Sequence, residues 1–568
     1  MPVKSPLATA RPMAASQYSA VRGCSSAGGG FSRATIAGAR MNRALMAGVA
    51  VAAALCAGPA FAQKPGGTLR LYHRDSPASM SILEESTVSV VMPMMGVFNN
   101  LIVFDQNVAQ NSLQSIVPDL ATSWSWSDDG KRLTFKLRDG VKWHDGKPFT
   151  TNDVKCTWDL LLGKGSAKLR ADPRKDWYEN LDDVAAEGDS QATFVLKRPQ
   201  PALLTLLASG YSPVYPCHVP PAQMRQHPIG TGPFKFVEYK PNETIKLVKN
   251  PDYWKPGRPY LDAIEFTIIP NRSTASLAFV AGKLDMTFPD ELTPPLMRDV
   301  KNQAPQAVCE NRATNVSTNL LINRDKPPFD NPDIRRALSL ALDRKSFIDI
   351  LTEGDGNVGG AMLPPPEGLW GMPPEMLAGL PGYGPDVQKN RAEAKALMEK
   401  LGYGPDKRLA IKVATRNIAL YRDPAVILID QLKQIYIDGE LDVVETANWY
   451  PKIARKDYQI GLNLTGSAVD DPDQQFFENY ACNSIRNYTG YCNKELDERF
   501  VAQSTETDQE KRKKLVWDID RALQEDGARP IVMHNRGGTC WQPQVKGLVL
   551  QVNSIYNGWR FEDVWLDR

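Results

Sequence analysis

Ala121-Thr122-Ser123-Trp124-Ser125-Trp126-Ser127-Asp128-Asp129-Gly130, continuing through Leu133-Thr134-Phe135-Lys136-Leu137 to Trp143-His144-Asp145-Gly146-Lys147-Pro148-Phe149-Thr150, is the stretch whose pattern decides the fold. Trp124 and Trp126 alternate with serines, as on a half-buried strand, and Ser127-Asp128-Asp129-Gly130 supplies turn chemistry. Leu133, Phe135 and Leu137 then alternate with Thr134 and Lys136, which gives a hairpin with one apolar face. His144-Asp145-Gly146 makes a second turn. Thr150, with Asp153 three residues on, reads as a helix start, continued at helical spacing by Val154, Trp158, Leu161 and Leu162. His144 beside Asp145 is open to an acid/base reading; the reading preferred is a turn histidine that holds the loop.

The same alternation of short strands and helices runs outward from this stretch. Val97–Asp105 reads as the end of an apolar helix passing into a short strand. Gly230-Thr231-Gly232-Pro233 forces a bend before a strand carrying Phe234 and Phe236. It lacks the continuation and the following helix that a phosphate-binding loop needs. Ile268-Ile269-Pro270 precedes a helix from near Ser273 to Gly282. Leu320–Asn323 reads as a strand. Asn331 then caps a helix with Pro332 in its first turn and Ile334, Leu338 and Ala341 on one face, predicted to run to Gly354. Arg335 and Arg336 on that helix are read as solvated charges rather than an anion site. Ala392–Leu401 and Pro424–Ile437 read as amphipathic helices separated by the strand Leu409–Val413, and the tail through Tyr556–Phe561 as a strand-rich return. Such a pattern implies mixed α/β lobes, and scattered Pro and Gly argue against domains joined by a flexible tether.

The ends and the composition bound the function. Ala44–Ala62 is an alanine-rich apolar run behind Asn42-Arg43, closing on Ala60-Phe61-Ala62 before Gln63, the form of a secretory signal peptide. The expected processing is therefore 1–40 as an over-called extension, 41–62 as signal and a mature chain from Gln63. Cys56, preceded by Ala53-Ala54-Leu55, does not fit a lipid-anchoring signal. The first 62 residues hold six basic residues and no acidic one, so the formal net charge of +2 becomes −4 without them. Such a chain has no electrostatic footprint for nucleic acid. Its length exceeds what one core organises, so two or more lobes are expected.

Catalytic and metal signatures are not found in the sequence. The five histidines, at 73, 144, 218, 227 and 534, show no H-E-x-x-H spacing, and there is no G-x-S-x-G elbow or Walker loop. The cysteines beyond residue 62 are Cys156, Cys217, Cys309, Cys482, Cys492 and Cys540. They lack the paired close spacings of a zinc site, and an oxidising compartment permits disulfides instead. No cofactor is expected.

The Ala121–Thr150 stretch, with Gly66-Gly67-Thr68-Leu69-Arg70, Gly230–Val237 and Asn250-Pro251-Asp252-Tyr253-Trp254, resembles the family 5 solute-binding proteins of bacterial ABC importers, which include the oligopeptide- and dipeptide-binding proteins. The resemblance covers essentially all of residues 66–568. It implies a two-lobed α/β periplasmic binding protein (type II, cluster C-like) with its ligand cleft between lobes joined by hinge strands: lobe I at 63–315, lobe II at 316–530 and a return to lobe I at 531–568. It implies capture of peptides or peptide-like solutes by hinge closure, delivery to an inner-membrane ABC permease and its ATPase subunits, a periplasmic location and a monomer. The rival readings are a secreted hydrolase and a binder of non-peptide solutes (an opine, a sugar, a metal chelate) on the same fold. The resemblance also pairs Cys482 with Cys492 around the turn-rich loop Asn483–Tyr491; the other four cysteines allow three pairings.

The implied ligand site lies around Gly461–Asp473. Leu464 and Gly466 match positions whose main chain bonds an extended ligand, a mode that tolerates any side chain. In peptide binders of the family the amine-pairing Asp stands three places before the acidic residue preceding Pro, which is Ala468 here. A charged amine buried without a carboxylate costs on the order of several kcal/mol. Weak binding of unmodified di- and tripeptides is therefore expected, and better binding of solutes that lack a free α-amine or place it elsewhere. Asp470 either substitutes for that Asp or only forms the turn before Pro472. Trp449 matches a pocket-wall Trp or is a core residue. Arg416 falls near a carboxylate-binding Arg, whose fork suits two-point contact, or lies on the surface.

Overall fold

The hairpin forms as its alternation dictates. Ala121–Trp126 pairs antiparallel with Arg132–Leu137, Trp124 opposite Phe135 and Trp126 opposite Leu133. Gln191–Leu196 and Leu181–Glu187 extend it to four strands. Leu133, Phe135 and Phe194 are buried, and Trp158 of the helix Thr151–Leu161 meets Phe194 edge-on at 4.8 Å. The predicted helix start is present: Asp153 Oδ2 accepts from the Thr150 N–H at 2.9 Å. His144 braces the neighbouring loop, its Nδ1 accepting from Gly230 N–H and its Nε2 bonding the Gly232 carbonyl. Burial pushes its pKa down to about 4, so it is the neutral ring that serves there. The computed structural model describes residues 63–568; the extension, the signal peptide and Cys56 lie outside the described residues.

Two larger sheets organise the rest. In one, Thr68–His73 runs parallel to Ala263–Ile268, followed by Thr244–Lys249 and Phe234–Lys240. In the other the order is Ile437–Val444, Leu409–Arg416, Ile460–Gly466, Val308–Ile322, Ile531–Trp541. The last two strands are long and belong to both halves of the molecule. At one end Trp541 bridges Met286, which also bridges Leu71 of the first sheet. At the other end Val316–Ile322 is ordinary ladder against Ile460–Gly466. Between the ends the pairing of the two strands slips at Ala313–Ser317, where Asn315 takes a left-handed φ of 51°.

Three disulfides close loops of different reach. Cys482–Cys492 is present as the resemblance implied. Of the three pairings open to the others, the structure adopts Cys156–Cys217 and Cys309–Cys540. Cys309 and Cys540 stand directly opposite on the two long strands, so that bridge pins the pair at one end.

Several elements differ from the sequence reading, among them the helix expected from Ala392, which begins at Val387. The helix from Pro332 stops at Ala341, and a second runs Arg344–Thr352. Leu342 turns extended and the Asp343 side chain caps Ser346 N–H at 3.0 Å, so a local cap overrides the continuous apolar face. The helix expected from Pro424 begins earlier, at Ala419, with Pro424 inside it, and ends at Lys433. Tyr556–Phe561 is buried irregular chain rather than strand. It is held by side chains instead: Arg560 pairs with Asp119 at 2.9 Å, and Asn557 Nδ2 donates to the Ala468 carbonyl at 2.7 Å.

Candidate functional site

The strand Ile460–Gly466 is central at its start and unpaired on one side at its end. Its parallel partner Leu409–Arg416 pairs only at Val413–Ile460 and Ala414–Gly461, after which the two separate. On the other side, Ser467 N–H donates to the Asn315 carbonyl and Asn323 N–H to the Gln459 carbonyl. Because paired residues alternate in an antiparallel ladder, these two bonds assign the odd-numbered residues of the strand to Val308–Ile322. The main-chain groups of Leu464 and Gly466 therefore face the gap. Both residues line a chamber there, closed from the opposite side by Arg74, Asp290 and Tyr556 and from the crossover strands by Val316 and Asn535. A β-carbon on Gly466 would stand 1.9 Å from the Tyr556 hydroxyl, so only glycine lets the wall approach this closely. A wider mouth, lined by Pro77, Arg170, Thr446 and Arg455, shares Thr87, Tyr450 and Arg486 with the chamber and leads outward.

Side chains from the two halves meet around this chamber. Arg416, at the end of its strand, donates from Nη2 to Asp75 Oδ2 at 2.8 Å and from Nη1 to Tyr421 at 2.8 Å; Thr446 adds a bond of 2.7 Å to the same Asp75 oxygen. Burial alone would raise the Asp75 carboxyl, but the Arg416 guanidinium, with His73 and Arg74, outweighs it and holds the pKa at about 2. On the far side, Trp177 Nε1 donates to Glu478 Oε2 at 2.6 Å, Ser484 Oγ to Asp176 at 2.6 Å and Gln200 to Asp473 at 2.9 Å. The gap is thus flanked by side-chain contacts between segments far apart in the sequence.

The chamber lining carries four guanidiniums, of Arg74, Arg416, Arg486 and Arg536. Each is paired with a carboxylate outside the lining: Glu291, Asp75, Glu478 and Glu367 respectively. Asp290 is the one acidic residue in the lining, and burial pushes its carboxyl up to about 7. Among the described residues no group of His, Cys, Asp and Glu could hold a metal ion, and no helix is long and apolar enough to cross a membrane.

The sequence candidates divide. Leu464, Gly466 and Arg416 come together in the lining. Arg416 is 1 % exposed, which excludes the surface reading, and its fork is taken by the protein's own Asp75. Trp449 is placed elsewhere: it is fully buried among Leu321, Ala414 and Tyr458, with its ring N–H on Asn463 at 3.1 Å. The next residue, Tyr450, lines the chamber instead. Asp470 also turns away. Its Oδ2 accepts from Leu369 N–H and its carbonyl from the Trp370 ring, both at 2.9 Å, so it anchors the 369–370 segment. Ala468 is buried with its N–H on Gln474 and its carbonyl on Ser554 and Asn557. Sequence reading missed Arg74, Asp290, Arg486 and Tyr556. The one local signal was Gly537-Gly538, whose lack of side chains admits the Asp290–Leu292 segment.

Comparison with known proteins now bears on a two-lobed α/β molecule with a strand edge open to an interlobe chamber. The model of the bacterial extracellular solute-binding proteins, family 5, matches residues 115–487. The chain belongs to that family. A probable di/tripeptide-binding protein of Pseudomonas aeruginosa is 25% identical over 524 residues, covering 86% of this chain and 93% of the relative. The structure of the periplasmic binding protein DppA from Helicobacter pylori in complex with the peptide STSA superposes with a TM-score of 0.78 at 22% identity, covering 89% of this chain and 99% of that one. AgaA from A. tumefaciens R10, in complex with agropinic acid, gives 0.74 at 21%, covering 88% and 99%. These likenesses establish the two-lobed periplasmic-binding-protein fold. Within this solute-binding family, the chamber between the lobes of the present member is the candidate binding site.

Proposed function

We propose that this solute-binding protein captures a peptide-like solute, laid extended along Leu464–Gly466, and closes its lobes over it. The observation that carries this is the strand edge: main-chain donors and acceptors of Leu464 and Gly466 face the chamber with no strand to pair them. A buried backbone polar group without a partner is costly, and an amide-bearing solute supplies partners as an added strand does. The slip at Ala313–Ser317, with the crossing near Asn535, serves as the hinge between lobe I (63–315 with 531–568) and lobe II (316–530). Closure forms the Asp75–Arg416 and Trp177–Glu478 contacts, and a membrane permease with its ATPase subunits reads the closed form of the monomer. Three disulfides suit the oxidising periplasm. The di/tripeptide-binding relative supports the peptide-like class.

Calorimetry on ligand-stripped protein tests the reading with four probes: tri-alanine, N-acetyl-tri-alanine, N-acetyl-dialanyl-lysine and N-acetyl-lysyl-dialanine. Saturable one-to-one binding of at least one of them, lost when its backbone amides are N-methylated, is the expected result. Heats that never saturate with any probe contradict the peptide-like class.

A further inference from the structure

We infer that Asp290 is the residue that selects the charge of the solute: it pairs a cationic nitrogen, from the lobe I wall of the chamber rather than from position 468. The inference rests on the peptide-like reading above and adds the solute's charge to it. Four features of the structure converge on Asp290.

The first is charge balance. Every guanidinium of the lining already has a carboxylate of its own, so the cationic surface is neutralised within the protein, and Asp290 is the acidic lining residue left over. Arg74 is its nearest compensating charge, but that guanidinium is bonded to Glu291. The second is hydrogen bonding. Neither carboxylate oxygen of Asp290 accepts a bond from the described residues, and Oδ2 is sealed from solvent as well. A buried acceptor without a donor costs free energy that a ligand N–H recovers.

The third is construction. Asp290 holds a left-handed φ of 58°, a conformation uncommon for residues other than glycine. The adjoining strand is cut away to receive it. A β-carbon on Gly537 would lie 2.2 Å from the Asp290 Cβ, and one on Gly538 2.5 Å from the Leu292 carbonyl. Asp290 N–H is held by Thr539 Oγ1 at 3.1 Å and Leu292 by mutual bonds with Gly538, so the backbone that presents the carboxyl is fixed. The fourth is what is absent elsewhere in the lining. Ala468 has no carboxylate and Asp470 faces away, bonded to Leu369, while Arg416, the carboxylate-binding candidate, is filled by Asp75. The chamber as built therefore offers one carboxylate without a cation of its own, while every lining guanidinium has a carboxylate partner and keeps only its Nε unbonded.

The test uses the full protein, wild type and Asp290→Asn, against the four probes named above. Asn keeps the shape and tolerates the left-handed backbone, so the variant folds; matching thermal midpoints and circular dichroism check this. In the wild type at least one amine-bearing probe is expected to bind about 30-fold or more tighter than the amine-free N-acetyl-tri-alanine. Asp290→Asn is expected to erase that preference, read as the ratio of the two affinities within the variant. Equal affinities of the wild type for amine-bearing and amine-free probes would overturn the inference and leave the peptide-like reading standing. So would a preference that survives in Asp290→Asn. A wild type that binds none of the four removes the peptide-like reading, and the inference with it.

Discussion

Replacing Asp75 by Asn removes one charge from a buried pair whose members come from different lobes. Asp75 follows the strand Thr68–His73, in the proposed lobe I, and Arg416 ends the strand Leu409–Arg416, in the proposed lobe II; their side chains are 8 % and 1 % exposed. The carboxyl sits at about 2 in place of 3.8, and at 1.36 kcal/mol per unit this is about 2 kcal/mol of preference for the ionised form. The group's folded pKa is depressed, so that contribution is fully present above pH ~4 and is lost as pH falls through about 2. When the lobes part, as proposed above, the Arg416 contribution to that preference is lost while those of His73, Arg74 and Ser89 stay with Asp75, so about 2 kcal/mol is the most that Asp75→Asn takes from the closed form. About 2 kcal/mol is a factor of roughly 30 in the open–closed equilibrium. Apparent solute affinity scales with the closed fraction and drops accordingly. The assay is calorimetry with whichever solute saturates the wild type, paired with small-angle scattering of the free and loaded protein. The variant is expected to bind more weakly, by up to about 30-fold, and to have the larger radius of gyration at equal solute, with its thermal midpoint little changed. A lowered midpoint with affinity and radius unchanged would refute the reasoning, because the pair would then be holding a lobe together rather than holding two lobes closed.

Other consequences follow from the same geometry. Gly466→Ala places a methyl 1.9 Å from the Tyr556 hydroxyl, so solute binding should fall about fivefold or more by calorimetry, since overpacking costs about 1–3 kcal/mol, while Gly404→Ala, with open space around it, serves as a neutral control. Removing the Cys482–Cys492 bridge, which closes a loop with a separation of 10 residues, should lower stability by roughly 3 kcal/mol on the chain-entropy model, read from denaturant unfolding of the double Ser variant. Burial raises the Asp290 carboxyl to about 7; below that pH it is protonated and pairs a cation poorly. Affinity for an amine-bearing solute should therefore rise from pH 5.5 to pH 8 in the wild type and stay flat in Asp290→Asn. The charged groups around that carboxyl are Arg74, Glu291 and Arg536, of which Glu291 is raised by burial as well, and the Asn variant separates its titration from that of Asp290.

Features built from neighbouring residues were legible in the sequence, and features assembled across the chain were not. The Trp124–Leu137 hairpin, the Thr150–Asp153 helix start and the Asn331 cap each rest on residues a few places apart, and each is found in the structure. The break at Leu342 was missed because the apolar face of Pro332–Ala341 continues into the next helix; only the Asp343 cap separates them. Trp449 and Tyr450 show how one position exchanges core for wall. Neighbours on the helix Thr446–Ala454 point about 100° apart, so Trp449 enters the core while Tyr450 turns to the chamber. The Cys309–Cys540 pair spans a separation of 231 residues and depends on strand order, which alternation alone does not disclose. Asp290 was invisible for the same reason: its neighbours are Arg74, 216 positions earlier, and the strand at Gly537, 247 positions later.

The central claim, a solute held between closed lobes and released unchanged, is tested most directly by native mass spectrometry of the purified protein, followed by release and identification of whatever it carries. The account predicts a one-to-one complex with a single small molecule that bears amide groups and a basic nitrogen, recovered intact after prolonged incubation with the protein. A released molecule that has been cleaved or otherwise altered during that incubation would contradict it, and so would a protein that stays at its bare mass whatever fraction of growth medium or cell extract is supplied.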